Sequence, residues 1–285
     1  MFKAAIISKP QKPELAQILH DLLDWLKAHD YEALLDPQSA AYVGAPNPIS
    51  RPDLASHNPH VVIVLGGDGT LLAAARAFGQ APTPILGVNL GSLGFLTEIP
   101  LSDLYTALEA WCDNCASIEQ RDMMHAELRR GGKLVERWDA LNDIVVSKGA
   151  IARMTDFSVE IDQQFVASLR ADGIIVSSPT GSTAYNLSAG GPIVMPTVNA
   201  LVVTLICPHL LTVRPFVVPG DSTVTIHIEG VPQLNYLTVD GQQAVELQLG
   251  DEVICRRSDR KVRLLRPSRN GLFNVLRSKL SWGER

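Results

Sequence analysis

Apolar positions in the first part of the chain alternate between two periods. "FKAAIIS" at 2–8 is an apolar run of strand length, and residues 14–28 then place Leu15, Ile18, Leu19, Leu22, Leu23 and Leu26 on one broad helical face. "YEALL" at 31–35 predicts a second strand. "VVIVL" at 61–65 is β-branched and apolar on both faces, the pattern of a central parallel strand, and "TLLAAARAF" after it predicts a helix. "TPILGVN" at 83–89 and "PLSDLYTALEAWC" at 100–112 repeat the strand and helix, with Pro100 or Leu101 entering the helix and Ser102 as a candidate cap. This alternation predicts an α/β domain with a Rossmann-like parallel sheet. Residues 36–59, rich in proline, serine, alanine and asparagine, predict a mobile loop.

Near residue 120 the pattern changes to period two. "MHAELRR-GG-KLVERWDALNDIVV" predicts a hairpin feeding further strands, and "FSVEIDQQFVASLRADGIIVSSP", "STVTIHIEG", "LTVDGQQAVELQLG" and "DEVICRRS" continue the β character. "VDGQ" at 239–242 predicts a hairpin turn, and residues 271–280 a short helix. The expected organisation is an α/β domain at 1–118, a β-rich domain at 119–265 and a C-terminal segment at 266–285.

Composition narrows the classes. The 285 residues carry a net charge of -5, which advertises no basic stripe, so no nucleic-acid partner is expected. The longest apolar window, "LVVTLICPHLLTV" at 201–213, is interrupted by Pro208 and His209, and the apolar stretch in "MFKAAIISKP" is too short for a signal peptide. A cytoplasmic protein with no membrane partner is the expectation. Cys112 and Cys115 form a CxxC without a second ligand pair for zinc or a redox setting at a helix start, so the plain reading is two thiols at the end of a surface helix.

The chemistry concentrates in two stretches. "GGDGT" at 66–70 interrupts the oily run where a strand hands over to a helix. Glycines there let the backbone turn tightly, and the N–H groups of the following helix face a phosphate. The string lacks the GK[ST] ending of a Walker A loop. A carboxylate at Asp68 would be repelled by bound phosphates unless it accepts a proton from an attacking hydroxyl or holds Mg²⁺. The alternative is a plain turn in which Asp68 caps the helix. The second stretch, "ADGIIVSSPTGSTAYNLSAGGPIV" at 171–194, crowds Ser182, Thr183, Tyr185, Asn186 and Ser188 among glycines, which suits a polyol or phosphate, with Tyr185 placed to meet a base. Asn142 and Asp143 form either a turn or a holder of ribose hydroxyls. Arg153, Arg170 and Arg214 are candidate phosphate partners, each also readable as a solvated surface arginine.

Taken in order, "GGDGT", "GVNLGSLGFLTE" at 87–98, "ALND" at 140–143, "DGIIVSSPTGSTAYNLSAGGP" at 172–192, "CPHLLTVRP" at 207–215 and "DGQ" at 240–242 resemble the bacterial NAD kinase family over nearly the whole chain. Related lipid kinases share a string like the first, but the later stretches suit a dinucleotide. A noncatalytic nucleotide-binding module would be favoured only by loss of the aspartate, and Asp68 is present. The resemblance implies an N-terminal α/β domain, a β-rich NAD-binding domain and a chain end that returns to the first. It implies transfer of the ATP γ-phosphoryl group to the adenosine ribose 2′-hydroxyl of NAD, with Mg²⁺ or another divalent metal, in a homodimer or homotetramer. Asp68 matches the general base and Gly69 a dinucleotide contact. Asn142, Asp143, Arg170, Asp172, Thr183, Ala184, Tyr185, Asn186, Leu187, Ser188 and Gln242 match NAD-binding positions, and Arg153 is a further candidate contact at a place where relatives vary, often with histidine. Asp143 is a departure, because many members carry glutamate there.

Overall fold

A computed structural model describes residues 1–79, 81–91, 93–150, 153–210, 212–266 and 272–282. Ser92, Leu211, residues 267–271 and residues 283–285, which fall in stretches singled out above, lie outside the described residues. The chain divides into two compact units, Met1–Gln120 with Val262–Arg285, and Arg121–Lys261.

In the first unit, strands β1 (Phe2–Ser8), β2 (Tyr31–Leu35), β3 (Val61–Leu65), β4 (Ile85–Asn89) and β5 (Ile99–Pro100) pair in parallel. The order of the first four is β2-β1-β3-β4, so the connections change direction between β1 and β3. All five residues of β3 are buried, as its two-faced apolar sequence requires. Helices α1 (Leu15–Ala28), α2 (Pro37–Val43), α3 (Arg51–Leu54), α4 (Asp68–Phe78) and α5 (Leu104–Cys112) complete the N-terminal part. Leu15, Leu19, Leu22 and Leu26 of α1 pack with Ile6, Ile63 and Leu86 in one core.

The second unit is antiparallel. It contains most of β6 (Ser117–Arg130), then β7 (Lys133–Ala140), β8 (Asp143–Lys148), β9 (Thr155–Ile161), β10 (Gln164–Ala171) and β11 (Gly173–Ser177). It continues with the one-turn helix α6 (Tyr185–Ser188), β12 (Ala200–Ile206), β13 (Phe216–Pro219), β14 (Val224–Glu229), β15 (Asn235–Val239), β16 (Gln243–Leu247) and most of β17 (Glu252–Arg266). One sheet runs β13-β12-β11-β8-β15-β16, and β10-β9-β14-β17 form the opposite layer with β6 and β7. Alternate residues of both layers meet in one core, among them Ile144, Val146, Ile174, Val176, Phe157, Ile226 and Val253. The chain end returns to the first unit, where Leu264 of β17 lies beside Ile85 of β4, and α7 (Leu272–Leu280) follows.

Residues 36–59 are not the loop that composition predicts. They form α2, α3 and a 3₁₀ turn at Ala55–His57. Asp36 caps α2 by accepting the Ser39 N–H at 2.7 Å, Pro37 occupies the first turn, and Gly44 closes the helix in the left-handed conformation. The residues that look like breakers are the helix's start and stop signals. Asp36 is fully buried, and it also accepts the Ser39 hydroxyl at 2.6 Å and Arg51 Nε at 2.7 Å. Ser39→Ala is expected to lower the unfolding free energy by about 1.5–3 kcal/mol, the value of a hydrogen bond to a charged acceptor, checked by denaturant titration. Ser102 is not a cap either. It sits in a 3₁₀ turn and donates to Asp103 at 2.9 Å, and α5 starts without a side-chain cap.

Candidate functional site

The glycine turn follows β3 at its carboxyl end, beside β1, where the strand order reverses. Asp68 is the first residue of α4 and is half-buried, and Gly69 is exposed. Gly67, at the N-cap, has no side chain to close the helix end. The Asp68 carboxylate does not cap its own helix. It points across to residues 95–97: Oδ2 accepts the Phe95 N–H at 2.9 Å, and Oδ1 accepts the N–H groups of Leu96 (3.1 Å) and Thr97 (3.0 Å) and the Thr97 hydroxyl (2.9 Å). These donors hold the carboxylate in place. Gly94 is required at this turn, because a Cβ there would collide with the Asp68 carboxylate and the Thr97 hydroxyl.

In the second unit the candidate NAD-contacting residues fall into two groups. The first gathers where β7 leads into β8. Asp240, in the β15–β16 turn, accepts the backbone N–H groups of Leu141 (3.0 Å), Asn142 (2.7 Å) and Asp143 (3.3 Å). Its own N–H donates to the Asp143 carbonyl at 3.0 Å. Asp143 pairs in register with Ser177 and is 4% exposed. Burial first, and the charge of Asp240 second, push its carboxyl up to about 7, against the opposing effect of the Tyr185 N–H that donates to it. Gly181 lets the 180–183 turn lie against Asn142, since a Cβ there would strike the Asn142 carbonyl. Asn142 is half-buried, while Tyr185, Ser188 and Gln242 are exposed, and Thr183, Ala184 and Leu187 lie between. Asn186 is different. Its amide donates to the carbonyls of Ser182 (2.9 Å) and Pro192 (3.0 Å) and accepts the Thr204 hydroxyl (2.7 Å), so the buried side chain is committed to holding the loop.

Asp172 immediately precedes β11, at the end of the β8–β11 pair away from Asp143, and Arg170 lies two residues earlier, near the end of β10 in the other layer. Asp172 is paired with Lys148 at 2.8 Å, and Arg170 is exposed and bidentate to Asp156 at 2.6 and 3.0 Å. Across β8, the register separates Asp143 from Ser147, which faces Gly173, by four residues, roughly 14 Å. Arg153 and Arg214 are exposed. The structure therefore brings Asn142, Asp143, the 183–188 segment and the Gln242 turn together, and leaves Arg170 and Asp172 apart from them. Asp240 escaped the sequence reading, because aspartate before glycine already satisfies the demands of a hairpin turn.

Among the described residues no group of three or more His, Cys, Asp or Glu side chains could hold a metal ion. The donor set therefore does not fit a cation caged by protein alone. It remains compatible with a Mg²⁺ ion that arrives on nucleotide phosphates and takes one or two carboxylates. Cys112 and Cys115 are exposed, with α5 ending at Cys112. No helix among the described residues is long and apolar enough to cross a membrane.

A central parallel strand, a glycine turn at a switch in strand order and a helix opening on that turn define a nucleotide-handling α/β enzyme. The family description "ATP-NAD kinase N-terminal domain" matches residues 4–114, and "ATP-NAD kinase C-terminal domain" matches residues 141–267. An NAD kinase of Acidobacterium capsulatum is 57% identical and one of Koribacter versatilis 50% identical, each over the full length of both chains. A yeast NADH kinase solved with NADH superposes with a TM-score of 0.91 at 25% identity, covering 100% of this chain and 89% of that one. An Archaeoglobus fulgidus NAD kinase solved with ATP gives 0.77 at 25% identity, covering 98% and 99%. The chain belongs to the NAD kinase family, the ATP-dependent enzymes that phosphorylate NAD to NADP. The α/β and β-rich architecture expected from the resemblance is borne out.

Proposed function

We propose that this chain transfers the γ-phosphoryl group of ATP to the 2′-hydroxyl of the adenosine ribose of NAD, with Asp68 as general base. The observation that carries the assignment is the uneven loading of the Asp68 carboxylate. Oδ1 accepts three donors, whereas Oδ2 accepts the Phe95 N–H alone among them. Oδ2 keeps acceptor capacity for a hydroxyl proton. As that proton moves to Oδ2, the ribose oxygen forms its bond to the γ-phosphorus. The bond from phosphorus to the β,γ-bridging oxygen breaks, and ADP leaves with that electron pair. Little covalent chemistry is asked of the protein in such a transfer; placement and charge stabilisation dominate. A divalent ion such as Mg²⁺, carried in on the ATP, would supply neutralisation of the phosphate charge.

Gly69 lies beside Asp68 in the same turn and is assigned to the dinucleotide. Asn142, Asp143, Thr183, Ala184, Tyr185, Leu187, Ser188 and Gln242 are assigned to NAD, with Asn186 acting through the loop it braces. Arg153, Arg170 and Asp172 are assigned to the same ligand. The separation of Arg170 and Asp172 from Asp143 supports a homodimer or homotetramer in which one copy completes the site of another. In this reading residues 1–118 carry the glycine turn, residues 119–265 bind NAD, helix α7 of the C-terminal segment belongs with the first domain, and the enzyme works in the cytoplasm. The deciding experiment incubates purified protein with Mg²⁺, ATP and NAD and identifies the product by mass, with light scattering for the assembly. A product phosphorylated anywhere but the adenosine 2′ position, or no product, would overturn the assignment.

A further inference from the structure

The stretch at 87–98 contains a directed hydrogen-bond relay that ends on Asp68. Asn89, the last residue of β4, is 6% exposed, and its side-chain oxygen accepts the Gly91 N–H at 2.7 Å. The other end of the amide must then be the NH₂ group. That group donates to the Thr97 hydroxyl oxygen at 3.1 Å and the Thr97 carbonyl at 3.3 Å. Thr97 is fully buried. With its oxygen accepting the hydrogen bond from Asn89, its single O–H is directed onto Asp68 Oδ1 at 2.9 Å. Arg266, 8% exposed, braces the far side of this turn: it reaches the Leu96 carbonyl at 3.4 Å and pairs with Glu98 at 3.2 Å.

We infer that Asn89 and Thr97 are positioning residues, which lock Asp68 Oδ1 so that Oδ2 is presented to the substrate hydroxyl. The inference rests on the proposed role of Asp68. Asn89 and Thr97 are both buried and offer little surface to a substrate, so the relay acts on the chemical step and not on affinity. A freely rotating carboxylate would spend part of its time with the wrong oxygen or the wrong lone pair toward the ribose. The relay removes that freedom before substrate binds.

The test is Thr97→Val, which keeps the shape and the backbone N–H but deletes the hydroxyl. Its kcat is expected to fall roughly tenfold, the size set by one hydrogen bond to a charged acceptor, with KM for NAD and ATP within about twofold. Thr97→Ser should restore most of the rate. In an Asp68→Asn background, Thr97→Val should slow the enzyme no further. An unchanged kcat, a loss that serine fails to rescue, or an equal loss on top of Asp68→Asn would each overturn the relay. Near-normal turnover in Asp68→Asn alone would instead sink the general-base assignment. If thermal melting shows Thr97→Val to be unfolded, Asn89→Ala carries the same test: a severalfold loss in kcat at unchanged KM supports the relay, and an unchanged kcat refutes it.

Discussion

Asp68→Asn is expected to lower turnover by about 10²–10⁴-fold, the usual cost of removing a general base, while NAD still binds. Asparagine is the informative replacement because of what surrounds the carboxylate. With its amide oxygen in the place of Oδ1, the variant still accepts the Leu96 and Thr97 N–H groups and the Thr97 hydroxyl. Its NH₂ then faces the Phe95 N–H, so one hydrogen bond of the four is lost. The turn at 94–97 is therefore held nearly as in the parent, and a modest drop in melting temperature is the expected structural cost. Alanine would release all four donors and confuse loss of the base with collapse of the turn. Initial-rate kinetics and NAD titration by calorimetry separate the effects. Turnover within about tenfold of the parent would contradict the role. Recovery of the rate at raised Mg²⁺ would assign Asp68 to holding the metal instead.

The second large effect concerns Asp143. Its carboxyl is ordinarily near 3.8 and is raised to about 7 in the folded protein, by burial first and by Asp240 second. Between those values the folded state holds the proton more tightly than the unfolded chain. Stability from this group is therefore fullest below about pH 4, falls as pH rises toward 7, and is level above that. The full difference is on the order of 4 kcal/mol, taking 1.36 kcal/mol per unit. Asp143→Asn keeps an oxygen for the Tyr185 N–H and removes the charge that Asp240 opposes. The variant should melt higher than the parent at pH 8, by up to that amount, show no gain near pH 4, and bind NAD more weakly. Thermal melting from pH 4 to 8, with NAD titration at pH 8, checks all three. An identical slope of stability against pH in both proteins would show that Asp143 does not titrate as described. A stabilising substitution that weakens binding is the expected mark of a charge retained for function.

Much of the architecture was legible because its signals are local. The two-faced apolar run at 61–65, the helical spacing of Leu15, Leu19, Leu22 and Leu26 and the hairpin turn at 239–242 depend only on neighbouring residues. The failure at 36–59 has the same origin. Asp36, Pro37 and Gly44 are residues that turns and helix ends both favour, and what fixes them as helix ends is partly the pairing of Asp36 with Arg51, fifteen residues on. Among the site residues, the crowding of 183–188 between glycines was visible, but the burial of Asn186 in service of the loop was not, because Thr204 and Pro192 complete its hydrogen bonds.

The sequence by itself determined the kinds of element, the glycine turn with a carboxylate in it and the order of motifs that marks the family. Each of these is set by residues adjacent in the chain or at a fixed helical or strand period. Only the tertiary structure decided what the carboxylates touch. Asp68 takes its donors from 27 to 29 residues away, and Asp240 from 97 to 99 residues away. Those partners follow from strand order and register, which no local pattern states, and a buried charge is defined by whatever the fold places against it.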